Sequence, residues 1–411
     1  MSNQIPQEPQ TTTQTVQPEL ARNIFDEGGQ EVKGERSLRQ MIWHRFRQHK
    51  LGVTGAIAIG VLVFILIFAE FFSPYHHQQT HYQYGYAPPM ITKIHFDGFR
   101  PFVYGLTKSP AYRTINGRKV PLPGVWDYGE NTSEKYYIKF FTRGDSYRLL
   151  GFVPTNIHLF GTGEPEGSSG QIFLFGTDDS GRDVFSRVLF AGRVTLALAP
   201  LVILISFLVG TLIGGISGYM GGMLDTFLQR ITEIFMSLPR LALLLAMAGI
   251  LTYMGRVPPM VRFWSIVGLL AIVNWAAISR VVRGQFLALR ESEYTQAARA
   301  VGSSNMRIIT RHIMPNITSY LVVAATLSVP DIIILESILS FLGYGIQHPL
   351  ISWGSMLQNF ASNTPFELQF HPWLLIPASF IVVTVLAFNF LGDALRDAVD
   401  PYSVVSGDGE A

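Results

Sequence analysis

Long apolar runs separated by polar stretches divide the chain into six candidate membrane spans. A helix needs about 20 apolar residues to cross the hydrocarbon core of a bilayer. The runs that meet or approach this length cover residues 51–72, 194–219, 227–254, 261–281, 319–342 and 372–391. The third run contains Pro239, which predicts a kinked helix there. The pattern as a whole predicts an all-α polytopic membrane protein with six transmembrane helices.

The polar stretches predict a disordered tail and a folded insert. Residues 1–35 are rich in Gln, Thr, Pro and Glu and have no apolar periodicity, which is typical of disorder. Residues 75–175 contain strand-like runs such as 171–175 and turn-like runs such as the Pro/Gly-rich 121–124, which predict a β-rich insert between the first two spans. The predicted organisation has five parts, which are residues 1–35 (tail), 36–74 (basic entry and first span), 75–175 (insert), 176–401 (core with the other five spans) and 402–411 (C-terminal tail).

Basic residues near the span ends predict that both termini are cytoplasmic. One group precedes the first span and contains Arg36, Arg39, Arg45, Arg47 and Lys50. A second group lies between the fourth and fifth spans and contains Arg280, Arg283, Arg290, Arg299, Arg307 and Arg311. Cytoplasmic flanks carry an excess of Lys and Arg, and both groups outnumber Arg256 and Arg262 on the opposite side. The insert is then external, and we expect a multi-pass protein of the inner cell membrane.

Composition supports a membrane protein and narrows the possible chemistry. Hydrophobic residues make up 48% of the chain and charged residues only 15%, against about 25% charged residues in soluble domains. The formal net charge of +2 is too small to indicate nucleic-acid binding. The chain has no cysteine, which excludes disulfides and thiolate chemistry. The only closely spaced histidines are His76 and His77, which we interpret as a solvated pair, so we predict no metal site.

The polar loop between the fourth and fifth spans has an unusual pattern. Residues 293–302 form an amphipathic segment with small residues at Ala297, Ala298 and Ala300, and Gly302 is placed to end the helix. A second helix is expected to follow and to stop near Pro315. Small residues on an exposed helix let another backbone approach closely, although an ordinary surface helix with alanines explains the composition equally well.

This loop resembles the cytoplasmic EAA loop of the permease subunits of ATP-binding-cassette (ABC) importers. Ala297, Ala298, Gly302 and Pro315 stand at matching spacing, and Gln296 stands where glutamate is usual, which removes one charge from the docking face. The flanking residues Tyr294 and Arg299 are similar to the dipeptide, oligopeptide and nickel branch of the family. Further segments resemble that branch, and in particular the second permease of its pairs, namely residues 43–52, 176–187, 337–345, 352–357 and 391–401. The resemblance covers about residues 40–74 and 175–401 and leaves the insert unexplained.

The resemblance implies a fold, a role and a set of partners. The fold is that of type I ABC importer permeases, and loop 283–316 couples the spans to an ATPase through the positions Glu293, Tyr294, Gln296, Ala297, Ala298, Arg299, Gly302 and Pro315. The expected partners are a homologous second permease, two ABC ATPase subunits, an external solute-binding protein and membrane lipid. ATP and Mg²⁺ would be bound by the ATPases and no cofactor by this chain. Di- or oligopeptides are the expected substrates, with nickel or oligosaccharides as alternatives.

Charged and small residues inside the spans are candidates for the pathway and for packing. Arg240, Asp331 and Glu336 lie within apolar runs, where ionisable groups usually face a protein interior or an aqueous path. Pairing between helices is an equally good explanation for them. Gly210, Gly214 and Gly218 form a four-residue stripe that permits close helix packing, within the subunit by default or against a second permease.

The segment 176–187, just before the second span, predicts a short interfacial helix. Asp178, Asp179 and Ser180 can cap a helix start, and Asp183 and Arg187 have the spacing of a helical ion pair. Structural capping explains the pattern about as well as a role in gating.

Two functions from other classes compete with the permease prediction. The chain has no Gly-Lys dipeptide and hence no phosphate-binding loop, so it is not itself predicted to be an ATPase. An ATP-independent secondary transporter or channel is possible, but no duplicated half is visible in the sequence. An intramembrane enzyme is disfavoured because the spans contain no His-Glu-x-x-His or Gly-x-Ser-x-Gly motif.

Overall fold

The computed structural model describes residues 38–115, 118–165, 167–253, 255, 257–361 and 369–399. The predicted tails at 1–35 and 402–411, and the side chains of Arg36 and Arg256, lie outside the described residues. The helices are α1 (Leu38–Gln48), α2 (Lys50–Ile67), α3 (Ala69–Phe72), α4 (Val184–Met220), α5 (Gly222–Ser237), α6 (Arg240–Tyr253), α7 (Pro259–Arg290), α8 (Glu293–Ala300), α9 (Asn305–Ile308), α10 (Met314–Phe341), α11 (Trp353–Ala361) and α12 (Ile376–Val399). The strands are β1 (His95–Asp97), β2 (Arg100–Ile115), β3 (Arg118–Tyr137), β4 (Lys139–Leu149) and β5 (Val153–Gly161).

Within the described residues, five helical stretches are long and apolar enough to cross a membrane. They are α2, α4, α7, the stretch Asn305–Phe341 and the stretch Pro372–Val399. The number becomes six if α5 and α6 together make one span. The prediction of a merely kinked third helix is wrong, because the axes of α5 and α6 meet at 85°. Pro239 lies in the two-residue break, where its ring and its missing amide hydrogen prevent the helix from continuing.

The helical core is organised around α4, which packs lengthwise against α7. Gly210, Gly214 and Gly218 lie on the contact face of α4. A Cβ atom added at Gly210 would lie 2.9 Å from the carbonyl oxygen of Trp275, one at Gly218 would lie 2.7 Å from that of Arg283, and one at Gly214 would overlap that of Ser279. The glycines therefore allow two backbones to approach closely, which is how helices gain van der Waals contact in lipid. The contact is within this subunit.

The first span packs on the last one at a second glycine contact. Gly52 of α2 faces Ala394 of α12, and a Cβ atom at Gly55 would lie 2.5 Å from the carbonyl oxygen of Ala387. His49 caps α2, because its Nδ1 accepts a hydrogen bond from the Gly52 amide at 3.0 Å. The two terminal spans thus lie side by side at the edge of the bundle, and α2 presents most of its remaining surface outward.

Residues 75–175 contain the predicted β-rich insert. β1, β2 and β3 form a three-stranded antiparallel sheet, and β4 and β5 form a separate antiparallel hairpin. Two local predictions are wrong. Residues 121–124 are not a turn but lie within β3, opposite a register shift between Pro110 and Tyr112. Residues 171–175 are not a strand, although Ile172 and Phe173 are fully buried under the insert.

Residues 176–183 form a structured loop and not a separate interfacial helix, so that prediction is also wrong. Asp178 accepts hydrogen bonds from the Ser180 and Arg182 amides at 3.0 and 2.9 Å, which holds residues 178–182 in a tight turn. The helix begins only at Val184, where Asp183 caps it by accepting from the Ser186 amide at 2.8 Å. Arg187 approaches Asp178 at 3.6 Å and does not pair with Asp183.

The helix predicted to stop near Pro315 does not stop there. α9 runs through one turn of π-helix, Ile309–Ile313, directly into α10, and Pro315 occupies the first turn of α10. Proline has no amide hydrogen and its ring collides with the carbonyl four residues earlier. The widened π turn accommodates this defect, so the chain passes the proline without a break.

We expect Gly214→Ala to destabilise the protein, because the added methyl group would collide with the Ser279 carbonyl of α7. The loss should be about 1–3 kcal/mol, as for other overpacked contacts. It is measured as a lower midpoint of thermal unfolding in detergent. The matched control is Gly60→Ala in α2, where nothing lies within 4 Å of the added atom. Equal midpoints for both variants would contradict close packing at Gly214.

Candidate functional site

The short helix α8 lies across the loop-side ends of α4, α7 and α10. Its inner face carries Thr295 and Ala298, which are both buried. Ala298 belongs to an apolar cluster that joins these elements, and the cluster's other buried members are Tyr219, Val282, Phe286, Ile308, Ile313 and Ile317. A displacement of α8 therefore acts directly on the ends of three long helices.

The outer face of α8 is exposed and contains most of the residues singled out from the sequence. Exposed members are Glu293, Tyr294, Gln296, Ala297, Arg299 and Ala300. Ala298 does not belong to this face, so the two adjacent alanines have different environments. Gly302 has φ +80° and ends the helix, with its amide bonded to the Arg299 carbonyl at 3.0 Å. Pro315 is exposed at the start of α10.

Gln296 makes a hydrogen bond within the loop that needs a neutral amide at this position. Its Nε2 donates to the carbonyl oxygen of Glu291 at 2.9 Å, across the turn that leads from α7 into α8. A glutamate carboxylate has no hydrogen to donate at neutral pH. The amide therefore stabilises the entry to α8.

Two polar contacts tie α8 and α9 to the neighbouring helices. Asn316 of α10 donates through Nδ2 to the Tyr294 hydroxyl at 3.2 Å. Tyr219, near the end of α4, donates its hydroxyl hydrogen to Oδ1 of Asn305 at 2.9 Å, and Arg290 donates to the Tyr219 carbonyl at 3.2 Å. The first contact holds α8 against α10, and the contacts of Tyr219 hold α4 against α9 and α7.

A partly exposed ion pair next to this region was not predicted from the sequence. Arg283 of α7 forms a two-pronged contact with Asp225 of α5, with both N–O distances 2.6 Å. Ser217 of α4 also donates to Asp225, and Gln229 donates to the Ser217 hydroxyl at 3.0 Å. Arg283 had been noted only as part of a basic cluster, and nothing in the spacing links it to an aspartate 58 residues away. The pair joins α4, α5 and α7 at one point.

The three intramembrane charges lie in different environments and do not form one site. Arg240 is exposed at the start of α6, beside the 85° break. Asp331 is exposed on α10. Glu336 is buried on the same helix, where it accepts a hydrogen bond from Ser340 at 2.6 Å. Glu336 thus has a packed, internal environment, while Arg240 and Asp331 remain accessible.

On the opposite side, the loop 176–183 holds the insert against the helices. Tyr86 donates its amide hydrogen to the Asp178 carbonyl at 2.9 Å, and Thr177 donates its amide hydrogen to the Ala87 carbonyl at 2.9 Å. Trp373, just before α12, donates its indole hydrogen to the Thr177 carbonyl at 3.0 Å. The insert, the start of α4 and the start of α12 therefore meet at Thr177, so this side of the molecule is cross-linked by backbone contacts.

Asp183 has an unusual electrostatic environment in this loop. The residue is 3% exposed and its Oδ1 atom has no hydrogen-bond partner among the described residues. Burial raises the pKa of the Asp183 carboxyl to about 7, against the opposing effect of the hydrogen bonds from Ser186. Nearby, burial lowers the pKa of His77 to about 4. Both groups favour their neutral forms in the folded protein.

Comparisons with known proteins confirm the resemblance found in the sequence. Residues 210–403 match the family model described as a binding-protein-dependent transport system inner membrane component. Residues 37–89 match the model of the N-terminal transmembrane domain of oligopeptide transport permease C. The two matched ranges leave residues 90–209 between them, which include all of the strands β1–β5.

Similar proteins are permease subunits of peptide transport systems by name. The dipeptide transport system permease protein DppC of Bacillus subtilis (strain 168) is 41% identical over 228 residues, which is 55% of this chain and 68% of the relative. The oligopeptide permease OppC of Haemophilus influenzae is 40% identical over 56% of this chain and 70% of the relative. OppC of Escherichia coli (strain K12) is 42% identical over 58% and 74%. A solved structure of the MetNI methionine ABC transporter matches with 21% identity over 52% of this chain and 96% of that chain, at a TM-score of 0.40.

We expect Asp183→Asn to remove one component of the pH dependence of stability. The folded protein keeps Asp183 protonated up to about pH 7, whereas the unfolded chain ionises it near the ordinary aspartate pKa of 3.8. The wild type therefore loses stability relative to the variant as pH rises between these values, by about 1.4 kcal/mol per pH unit at most.

The measurement is the midpoint of thermal unfolding of both proteins in detergent at pH 5 and pH 7.5. The advantage of Asp183→Asn over the wild type should be larger at pH 7.5. Asp179→Asn is the matched control, because the Asp179 side chain is 57% exposed. A difference between wild type and Asp183→Asn that is the same at both pH values would contradict the buried, protonated carboxyl.

Proposed function

Because the chain belongs to the family of binding-protein-dependent transport system inner membrane components, we propose that it forms one half of the membrane pathway of an ATP-driven peptide importer. Relatives about 40% identical are named dipeptide and oligopeptide permeases, which supports di- or oligopeptides as substrates. Nickel and short sugars remain alternatives within the same mechanism. In this proposal the chain has the fold of type I ABC importer permeases and crosses the inner membrane six times, with α5 and α6 as one broken span and both termini in the cytoplasm.

The arrangement of α8 is the observation that carries the proposal. Its outer face is small and exposed at Ala297 and Ala300, and its inner face is buried through Ala298 on the ends of the long helices. We propose that the outer face docks in a groove of an ABC ATPase subunit. Small side chains permit the close approach that such docking needs, and the apolar cluster beneath α8 transmits the movement as a rigid-body shift.

The remaining partners follow from the same proposal. A homologous second permease completes the pathway, two ATPase subunits bind ATP and Mg²⁺, and an external solute-binding protein delivers the substrate. This chain then supplies no hydrolytic chemistry. The insert at residues 75–175 lies on the external side, where we propose that it contacts the binding protein or the second permease.

The ion pair between Asp225 and Arg283 gives the coupling movement a route to the pathway. α8 follows α7 directly, and Arg283 is two turns before the end of α7. Through Asp225 the same contact holds α5, whose far end leads into the broken helix at Pro239. We propose that a shift of α7 driven by the ATPase moves α5 and α6 with it and so opens or closes the pathway at the break.

We expect Ala297→Glu to reduce association with the ATPase subunits while the chain remains folded. The glutamate adds volume and charge to the outer face of α8 and should lower the recovered ATPase by at least about tenfold, which corresponds to about 1.4 kcal/mol. The measurement is a pull-down of the tagged chain in detergent, with ATPase activity assayed on the recovered complex.

Two matched variants make this result specific. Ala298→Glu places the same charge in the buried cluster, so it should lower the yield and the thermal midpoint of the chain itself. Thr107→Glu, on the exposed surface of β2, should change neither quantity. Unchanged ATPase recovery with Ala297→Glu would refute docking through α8. Recovery of the chain alone, with transport that needs no ATP, would favour the secondary-transporter alternative.

We also expect Arg240→Gln to weaken uptake of peptides that carry a free carboxylate. Arg240 is exposed at the break, and the start of α6 adds free amide groups beside it. Uptake of a free peptide should fall by about fivefold, which corresponds to about 1 kcal/mol for one accessible charge pair. Its C-terminally amidated analogue should be much less affected. Arg230→Gln on α5 is the control, and equal effects on both peptides would argue against a carboxylate contact at Arg240.

A further inference from the structure

The β4–β5 hairpin does not continue the main sheet of the insert but runs down beside the first span. His158 of β5 is buried and its Nδ1 lies 2.6 Å from the Ser73 carbonyl, immediately after α3. Phe141 of β4 packs on Phe71 of α3, with 6.1 Å between ring centroids. These contacts hold the base of the hairpin at the end of the first span. Its tip points back along α2.

The tip reaches the depth of the membrane-spanning helices. Together with Arg148 and Gly151, Leu150 borders a crevice of about 700 Å³ whose other walls come from the outer surfaces of α2 and α4. The apolar walls on the spans are Val63, Leu66, Ile67, Leu196, Ala197 and Pro200. About 20 helical residues span the hydrocarbon core, so a boundary at Lys50 puts the other boundary near Glu70. Val63 then lies about 10 Å inside that boundary.

The tip of the hairpin is apolar, whereas a hairpin turn that faces water is usually polar or rich in glycine. Leu150 has φ +54°, a left-handed conformation that asparagine or glycine adopts more easily than a branched apolar residue. Leu150 and Phe152 are nevertheless 48% and 71% exposed. The turn satisfies part of its own backbone, because the amides of Gly151 and Phe152 donate to the carbonyls of Arg148 and Leu149. Because an unpaired backbone amide is costly in contact with lipid, these internal hydrogen bonds lower the cost of placing the apolar turn there.

Arg148 supplies a charge at the mouth of the crevice. It makes no ion pair or side-chain hydrogen bond with the described residues. By contrast, Arg193 on the opposite wall is fully occupied, since it binds Glu70 and the carbonyl oxygen of Ile67. The crevice therefore combines an apolar trough with one available guanidinium, and its volume is within the range of ligand sites, about 300–1,000 Å³.

We propose that this crevice binds one phospholipid of the leaflet on the insert side. An acyl chain lies in the trough between the hairpin tip and the two spans, and the phosphate is bound by Arg148. Leu150 and Phe152 enter the same leaflet and anchor the insert to the bilayer. The proposal requires only that α2 and α4 span the membrane, and it stands or falls independently of the transported substrate.

The depth of the tip is tested by site-directed fluorescence. The natural chain has no cysteine, so Leu150→Cys carries a single bimane label in the full-length protein, reconstituted in phosphatidylethanolamine–phosphatidylglycerol vesicles. Tyr112→Cys, near the end of the other hairpin, is the matched control, because Tyr112 is 57% exposed. Lipids with a doxyl quencher should quench the label at position 150, and aqueous iodide should quench the label at position 112.

Two outcomes of this experiment would overturn the proposal. Quenching by iodide at position 150 as strong as that at position 112 would place the tip in water. Protection of position 150 from both quenchers would mean that protein covers the crevice, for example a helix of a second permease.

The headgroup contact is tested by titrating doxyl-labelled phosphatidylglycerol into phosphatidylcholine vesicles that contain the labelled Leu150→Cys protein. When the labelled protein also carries Arg148→Gln, the phosphatidylglycerol fraction needed for half-maximal quenching should rise by about fivefold. This is the effect expected from losing one basic side chain near an anionic headgroup. Arg143→Gln, on the same strand but away from the crevice, should leave it unchanged. Equal midpoints for the two variants would exclude Arg148 as the phosphate ligand.

Discussion

The close contact between α4 and α7 is the interaction on which the rest of the structure depends. In lipid, apolar side chains gain little by leaving their surroundings, so helices associate through tight packing and polar contacts. Gly210, Gly214 and Gly218 allow the α4 backbone to lie almost directly on that of α7. This contact brings Tyr219 and Ser217 of α4 next to Phe286 and Arg283 of α7. These four residues contribute to the contacts that hold α5, α8 and α9 at this end of the helices.

On the side of the molecule that carries α8, a tightly packed group of helices lies next to a broken helix. The apolar cluster under α8 and the contact between Asp225 and Arg283 join α4, α5, α7, α8, α9 and α10 into one unit. The helix pair α5 and α6, in contrast, is interrupted at Pro239 by 85°. A packed unit can move as a body, and a broken helix provides the place where its movement changes the path. The coupling movement that we propose uses both properties.

On the insert side, hydrogen bonds to backbone carbonyls supplement the apolar packing between the insert and the helices. The loop 176–183 links the insert to the starts of α4 and α12 through Thr177 and Asp178. The β4–β5 hairpin adds a second attachment along the first span. The insert is therefore held both by the protein and, in our proposal, by a lipid, so that it keeps a defined height above the membrane.

The sequence by itself determined the class of the protein, five of its long apolar helices and its family. Apolar length alone specifies a membrane helix, because a bilayer imposes a fixed thickness, and the spacing of Ala297, Ala298 and Gly302 was enough to suggest the coupling loop. The glycine stripe on α4 was also visible as a pattern of small residues. Each of these features is set by residues close together in the sequence, so a local sequence pattern is enough to predict it.

Only the tertiary structure decided which side chains face which surface and which distant residues meet. It buried Ala298 and exposed Ala297, although the two are adjacent and identical. It joined Asp225 to Arg283, carried the helix through Pro315 by a π turn, and broke the third span at Pro239. It also placed an apolar hairpin tip beside α2. The burial of Ala298, the Asp225–Arg283 contact and the position of the hairpin depend on segments far apart in the chain, and a local residue pattern does not record such contacts. At the two prolines the sequence marks a defect, and only the structure shows whether the helix breaks or continues.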